Sequence, residues 1–131
     1  MILKGRTIFP GHASGLILVS RQGISFYGGV DPEFGTVVEK GHDLEGQCIA
    51  GRLLVFPGGK GSTVGSYTLY RLAKNGKAPA GIINASCETI TAVGCIIGEI
   101  PCIDQVDITL IPDGIQATLD AENGQVSWKV R

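Results

Sequence analysis

Phe56-Pro57-Gly58-Gly59-Lys60-Gly61-Ser62-Thr63-Val64-Gly65-Ser66 is the stretch on which the reading of this chain turns. Before it, Arg52 to Phe56 is a short apolar run of strand length, flanked by breakers and suited to a buried strand. After it, Val64, Leu69, Leu72 and Ala73, with Tyr67 and Tyr70, place apolar residues on one helical stripe between Thr63 and Asn75, and Asn75-Gly76 supplies a stop. A glycine-rich connection from strand to helix aims unpaired backbone N–H groups, with the positive end of the helix dipole, at one small volume. Such a volume favours a carboxylate or a phosphate. A Walker A loop needs Gly-Lys-Ser/Thr contiguous, whereas here Gly61 follows Lys60, so nucleotide hydrolysis is demoted and anion binding stands.

Working outward, Ala13–Ser20, Ala80–Ala85 and Ile100–Val106 read as further buried strands, with Pro101 suited to a strand start. Ile115–Leu119 and Gln125–Val130 flank Glu122-Asn123-Gly124, where Asn-Gly offers the positive-φ pair of a tight hairpin turn. Thr89–Gly98 is a second short helix. Strands interleaved with two helices and closed by a hairpin predict an α/β fold, a two- or three-layer β/α sandwich, with no internal boundary within residues 1–131.

Composition narrows the function. Twenty glycines among 131 residues, without a collagen repeat, mark a globular chain rich in turns, and the expected radius of gyration of about 14 Å implies one core. Eleven Lys and Arg against 12 Asp and Glu leave a net charge of -1 with no basic patch, which argues against nucleic acid as partner. No apolar run approaches the ~20 residues that cross a bilayer, and Met1-Ile2-Leu3-Lys4-Gly5-Arg6 has no secretory pattern, so a cytoplasmic location is expected. Cys48, Cys87, Cys95 and Cys102 match neither redox nor zinc spacing and read as buried thiols rather than metal ligands.

Within the glycine loop Ser62 admits two roles. It stands where an N-cap serine would, and it is also a hydroxyl whose alkoxide converging N–H dipoles and Lys60 could stabilise, which would make it a base. Thr63 and Ser66 equally suit a first helical turn. A second unusual segment, Gly23-Ile24-Ser25-Phe26-Tyr27-Gly28-Gly29-Val30-Asp31-Pro32, reads either as a turn with two aromatics under it or as a wall of a binding site. Asp31 is its candidate carboxylate. His12 and His42 lie in turns, where imidazole commonly bonds backbone, and no Ser/His/Asp triad follows from spacing.

Ile24 to Pro32, then Gly41-His42-Asp43-Leu44-Glu45-Gly46, then Pro57 to Ser66 resemble the small, swivelling subunit of the aconitase X family. The resemblance continues through Pro79-Ala80-Gly81-Ile82-Ile83-Asn84, Val93-Gly94 and Ile100-Pro101; Gly23 and Tyr27 depart from the family's frequent Pro and Trp. It implies a swivelling β/β/α domain that docks on a separate large subunit carrying a [4Fe-4S] iron-sulfur cluster, with none bound here. It also implies a hydro-lyase that dehydrates (R)-5-phosphomevalonate to trans-anhydromevalonate 5-phosphate in the archaeal mevalonate route to isoprenoids. In the family the serine matching Ser62 is the proton acceptor; the loop itself offers Gly59, Lys60, Gly61 and Thr63 as binders of the substrate anion or of the alkoxide, with a solvent-facing Lys60 as the alternative. Removing a β-hydroxyl needs a Lewis acid for the leaving group and a base for the proton α to the carboxylate, and this chain offers the second. Phe26 and Tyr27 are expected on the docking surface. Alternatives are the same chemistry on another hydroxy acid such as a hydroxyproline, a stand-alone anion-binding module, or a phosphohistidine-type carrier, for which Glu88 to Ala92 lacks the histidine.

Overall fold

In strand β4 (Leu53–Phe56) all four side chains are buried, because the strand has hydrophobic layers on both faces. Leu53 and Val55 join Ile17, Ile83, Ile103, Leu119 and Val126 in one cluster. Leu54 and Phe56 join Leu18, Ile82, Leu69, Leu72 and Cys95 in another. The single expected core is thus two layers of packing on opposite faces of one sheet.

The computed structural model describes residues 1–130. Eight strands lie in the order β1 (Ile2–Lys4), β8 (Gln125–Ser127), β7 (Gln116–Asp120), β3 (His12–Val19), β4, β5 (Gly81–Asn84), β6 (Cys102–Asp104) and β2 (Arg6–Phe9). Strands β3, β4, β5 and β6 are mutually parallel, and antiparallel strands continue the sheet on both sides. β1 and β2 stand at opposite ends of that order, yet only Gly5 separates them in the chain. Since a trans peptide spans about 3.8 Å, the sheet must roll until its two edges meet. Gly5 donates its N–H to Gly124 O at 2.7 Å, and a Cβ there would collide with the Asp104 carbonyl.

Helix α2 (Gly65–Lys74) follows β4 and helix α3 (Thr89–Gly98) follows β5; both cover the outer face of the parallel strands and pack together where Leu69 lies on Gly94. The layers are therefore β/β/α, as the resemblance implies. A single turn, α1 (Phe26–Gly29), interrupts the long loop after β3, with Tyr27 and Gly28 outside helical geometry. A 3-10 turn occupies Ile108–Leu110.

Two expectations change in detail. The hairpin register pairs Asp120 with Gln125, so its loop is four residues long and only Gly124 has positive φ; Asn123 instead bonds both carboxylate oxygens of Asp120. Strands β1 and β2, three and four residues long with largely exposed or half-buried positions, show no period-2 pattern long enough to read from the sequence.

Candidate functional site

Parallel strands β3, β4, β5 and β6 end on one edge, and the loops that leave this edge form the site, as is usual for parallel sheets. The two unusual segments meet there. Ile24 and Gly59 form a parallel bridge in which Ile24 N–H donates to Gly58 O at 3.3 Å and Lys60 N–H to Ile24 O at 3.0 Å. Beneath the loop, a Cβ at Gly59 would collide with the Glu88 carboxylate and the Thr91 hydroxyl, so only glycine lets the chain pass this close to α3. Gly61 has φ +89, and a Cβ there would meet Ser25 Oγ.

Ser62 is exposed at the tip. Helix α2 begins at Gly65 with Val64 in the N-cap position, so Ser62 does not cap it; its Oγ accepts the Val64 N–H at 3.2 Å in the turn that leads in. Among the described residues the N–H groups of Gly59, Gly61, Ser62 and Thr63 donate to no protein acceptor, while Lys60 N–H is taken by Ile24. The unpaired donors of Gly61, Ser62 and Thr63 are exposed and lie, with the Ser62 hydroxyl, at the positive end of a ten-residue helix. Ser66, by contrast, donates its hydroxyl to Ile90 O at 2.6 Å and ties α2 to α3.

Lys60 is not a free cation: its Nζ lies 3.1 Å from Glu39 Oε2. The Asp31 carboxylate accepts the Glu33 N–H and its carbonyl accepts the Gly35 N–H, each at 2.8 Å, so Asp31 shapes the turn of residues 31–35. His42 is buried and donates Nε2–H to the Gly23 carbonyl at 3.0 Å. Asp43 accepts from the Ser20 hydroxyl at 2.7 Å and from Arg21 N–H at 2.9 Å. The Gly41–Gly46 motif is therefore a brace for residues 20–23, where the site loop starts. His12 sits on the exposed start of β3 beside Asp120.

Phe26 is a correction: it is buried edge-to-face on Phe56, with ring centres 5.9 Å apart, and takes no part in any outer surface. Tyr27 is 56% exposed, as are Tyr67 at 59% and Val64 at 46%. A hollow of about 1150 Å³ opens among Ile2, Ile115, Trp128 and Val130 and shares no residue with the loop. Glu39, Glu88 and Thr91 are the neighbours that sequence reasoning missed. A Glu directly before a helix start was the one available signal for Glu88, which caps α3 by accepting from Ile90 N–H at 2.7 Å and Thr91 N–H at 2.9 Å.

Cys95 and Cys102 are buried in the sheet–helix layer and Cys87 is half-buried, but Cys48 is exposed against the Phe34 carbonyl, contrary to expectation. Hydrogen bonding to Cys102 and burial push the Cys87 thiol up. Cys102 is also raised: Cys95 and burial outweigh the opposing hydrogen bond from Cys87. No group of three or more His, Cys, Asp or Glu among the described residues is placed to hold a metal ion. These residues do not fit an iron-sulfur cluster. No helix among the described residues is long and apolar enough to cross a membrane.

A rolled mixed sheet covered by two helices, with a glycine-serine loop presented at the ends of its parallel strands, defines a swivelling β/β/α domain. The family model described as "Aconitase X swivel domain" matches residues 2–128. The chain is 53% identical over 126 residues to the "Phosphomevalonate dehydratase small subunit" of Thermococcus kodakarensis, covering 96% of this chain and 95% of that one. It is 53% identical over 127 residues to the protein of the same description from Methanocella arvoryzae, covering 95% and 96%. The crystal structure of Thermococcus kodakaraensis aconitase X in its holo-form superposes with a TM-score of 0.94 at 52% identity, covering 96% of each chain. The chain belongs to the aconitase X swivel-domain family.

Proposed function

We propose that this chain, one swivelling domain over residues 1–131, is the small subunit of a hydro-lyase that removes water from (R)-5-phosphomevalonate to give trans-anhydromevalonate 5-phosphate, with Ser62 as its base. The observation that carries this reading is the exposed Ser62 hydroxyl among N–H groups without protein acceptors, in a chain half identical to small subunits of phosphomevalonate dehydratase.

The chemistry follows from the loop. Ser62 takes the proton from the carbon next to the substrate carboxylate; the C–H electron pair becomes the new double bond, and hydroxide leaves the neighbouring carbon. A serine can do this only as an alkoxide, which the N–H groups of Gly59, Gly61 and Thr63 and the helix dipole favour. The same donors, with Lys60, receive the substrate's anionic groups. Expulsion of the hydroxyl belongs to the large subunit, which holds the iron-sulfur cluster in this reading. Tyr27, Val64 and Tyr67 give the loop an apolar rim against that partner, and the complex is cytoplasmic.

Co-purified with its large subunit, the chain supports water loss from phosphomevalonate, whereas either chain alone does not. Full turnover with Ser62→Ala in the assembled enzyme overturns the assignment.

A further inference from the structure

Thr91 is fully buried on α3, yet its hydroxyl has no hydrogen-bond partner among the described residues. Buried hydroxyls are almost always bonded, because an unpaired one forfeits its hydration with nothing in exchange. Thr91 is the third residue of α3, so the carbonyl one turn back, that of Cys87, lies outside the helix and does not serve its hydroxyl. Valine would fill the same volume without a polar atom. The hydroxyl is thus a local defect of stability that sits against the site.

Its neighbour is the Cα of Gly59, three residues before Ser62, close enough that a Cβ there would collide with Thr91 Oγ1. The bridge to Ile24 uses Gly58 O and Lys60 N, so in a parallel ladder the N–H and C=O of Gly59 itself point away from Ile24, and neither is bonded to another backbone group. The Thr91 hydroxyl therefore lies against the Cα of a residue whose own N–H and C=O have no backbone partner. On the same helix end each Glu88 carboxylate oxygen already accepts one N–H, from Ile90 or Thr91, whereas the Thr91 hydroxyl has no partner and is the unbonded donor there.

We propose that Thr91 is a positioning residue for Ser62: its hydroxyl donates to the Gly59 carbonyl when the loop receives the substrate anion, and this bond fixes Ser62 over the carbon it deprotonates. The inference rests on the reading of Ser62 as the base. In this proposal substrate binding supplies the small shift of the loop that joins the two groups.

The test uses the assembled two-subunit enzyme carrying Thr91→Val or Thr91→Ser. Thr91→Val lowers kcat about tenfold with KM within twofold, leaves the melting temperature equal or higher because a buried unpaired hydroxyl has gone, and Thr91→Ser restores most of kcat. Hydrogen exchange of residues 57–66, measured with (R)-5-phosphomevalonate bound in a Ser62→Ala background so that nothing turns over, is faster with Thr91→Val than with Thr91. Unchanged kcat with unchanged exchange overturns the positioning role. So does a loss of kcat that follows a lowered melting temperature. If Ser62→Ala alone keeps full turnover, the reading of the base falls and this one with it; if Ser62→Ala abolishes turnover while Thr91→Val changes nothing, only the positioning role falls.

Discussion

The ammonium of Lys60 lies 3.1 Å from Oε2 of Glu39, so the cation of the glycine loop is already matched by a carboxylate of the same chain. Both groups are partly exposed, and such pairs contribute about 0–1 kcal/mol. An incoming phosphate or carboxylate can therefore displace Glu39 easily. In the assembled enzyme Lys60→Ala should raise KM for the phosphorylated substrate about tenfold with kcat little changed, while Glu39→Gln should lower KM. Steady-state kinetics at low ionic strength, where screening is weakest, give the clearest reading. Unaltered KM in both variants would reduce Lys60 to a surface partner of Glu39.

Ser62→Ala should cut kcat by roughly 10²–10⁴-fold, the usual range for losing a positioned base. The same substitution should leave folding nearly untouched, because the hydroxyl is exposed and its bond to Val64 N–H is 3.2 Å long. Such a bond contributes about 1 kcal/mol at most. Parallel thermal unfolding and single-turnover measurements separate the two effects. A variant that loses activity and stability together would place Ser62 in the turn rather than in the chemistry.

Gly61 tests the loop's geometry. With φ +89 and Ser25 Oγ in the way of a Cβ, Gly61→Ala strains the backbone by roughly 1–3 kcal/mol and pushes residues 61–62 off Ser25. Shortening the obstacle as well, in Gly61→Ala with Ser25→Gly, should recover part of kcat through the removed contact but none of the φ strain. Kinetics of both variants in the complex decide this. No recovery in the double variant would show that backbone strain alone is responsible.

What was legible in the sequence was local. Thr89–Gly98 is helical over the span its apolar run and the following Pro101 suggest, and β5 lies within Ala80–Ala85. The Ser62 loop stood out because consecutive glycines between a strand and a helix have few other uses. What escaped reading depends on groups distant in sequence. The bridge from Ile24 to Gly59, the pair Lys60–Glu39 and the contact of Gly59 with Thr91 exist only once the sheet has rolled and α3 has packed. Likewise Gly5 looks like an ordinary breaker until β1 and β2 are seen at opposite ends of one sheet. Phe26 was misplaced for a related reason, since two adjacent aromatics in a loop give no sign of which one turns inward onto Phe56.

Arg6 and Asp104 join the edge strand β2 to β6 through two hydrogen bonds, Nε to Oδ1 at 2.9 Å and Nη2 to Oδ2 at 2.8 Å. Asp104 is fully buried and also accepts the Cys87 N–H at 2.8 Å. Burial by itself pushes its carboxyl up, but Arg6 and the Cys87 N–H outweigh it and hold the group below the ordinary carboxylate range. A carboxyl whose folded pKa is depressed contributes stability that is complete above the unfolded value of about 3.9 and is lost as pH falls through the folded value. Arg6→Ala removes the larger opposing partner, so the carboxyl rises from its depressed value toward the unfolded one. Urea unfolding followed from about pH 5 down to about pH 3 should then show the wild-type chain losing more stability than Arg6→Ala, although the variant is the weaker at neutral pH. Comparing the two at each pH cancels the other carboxylates. Parallel acid limbs would mean that Asp104 is not held by Arg6 in solution.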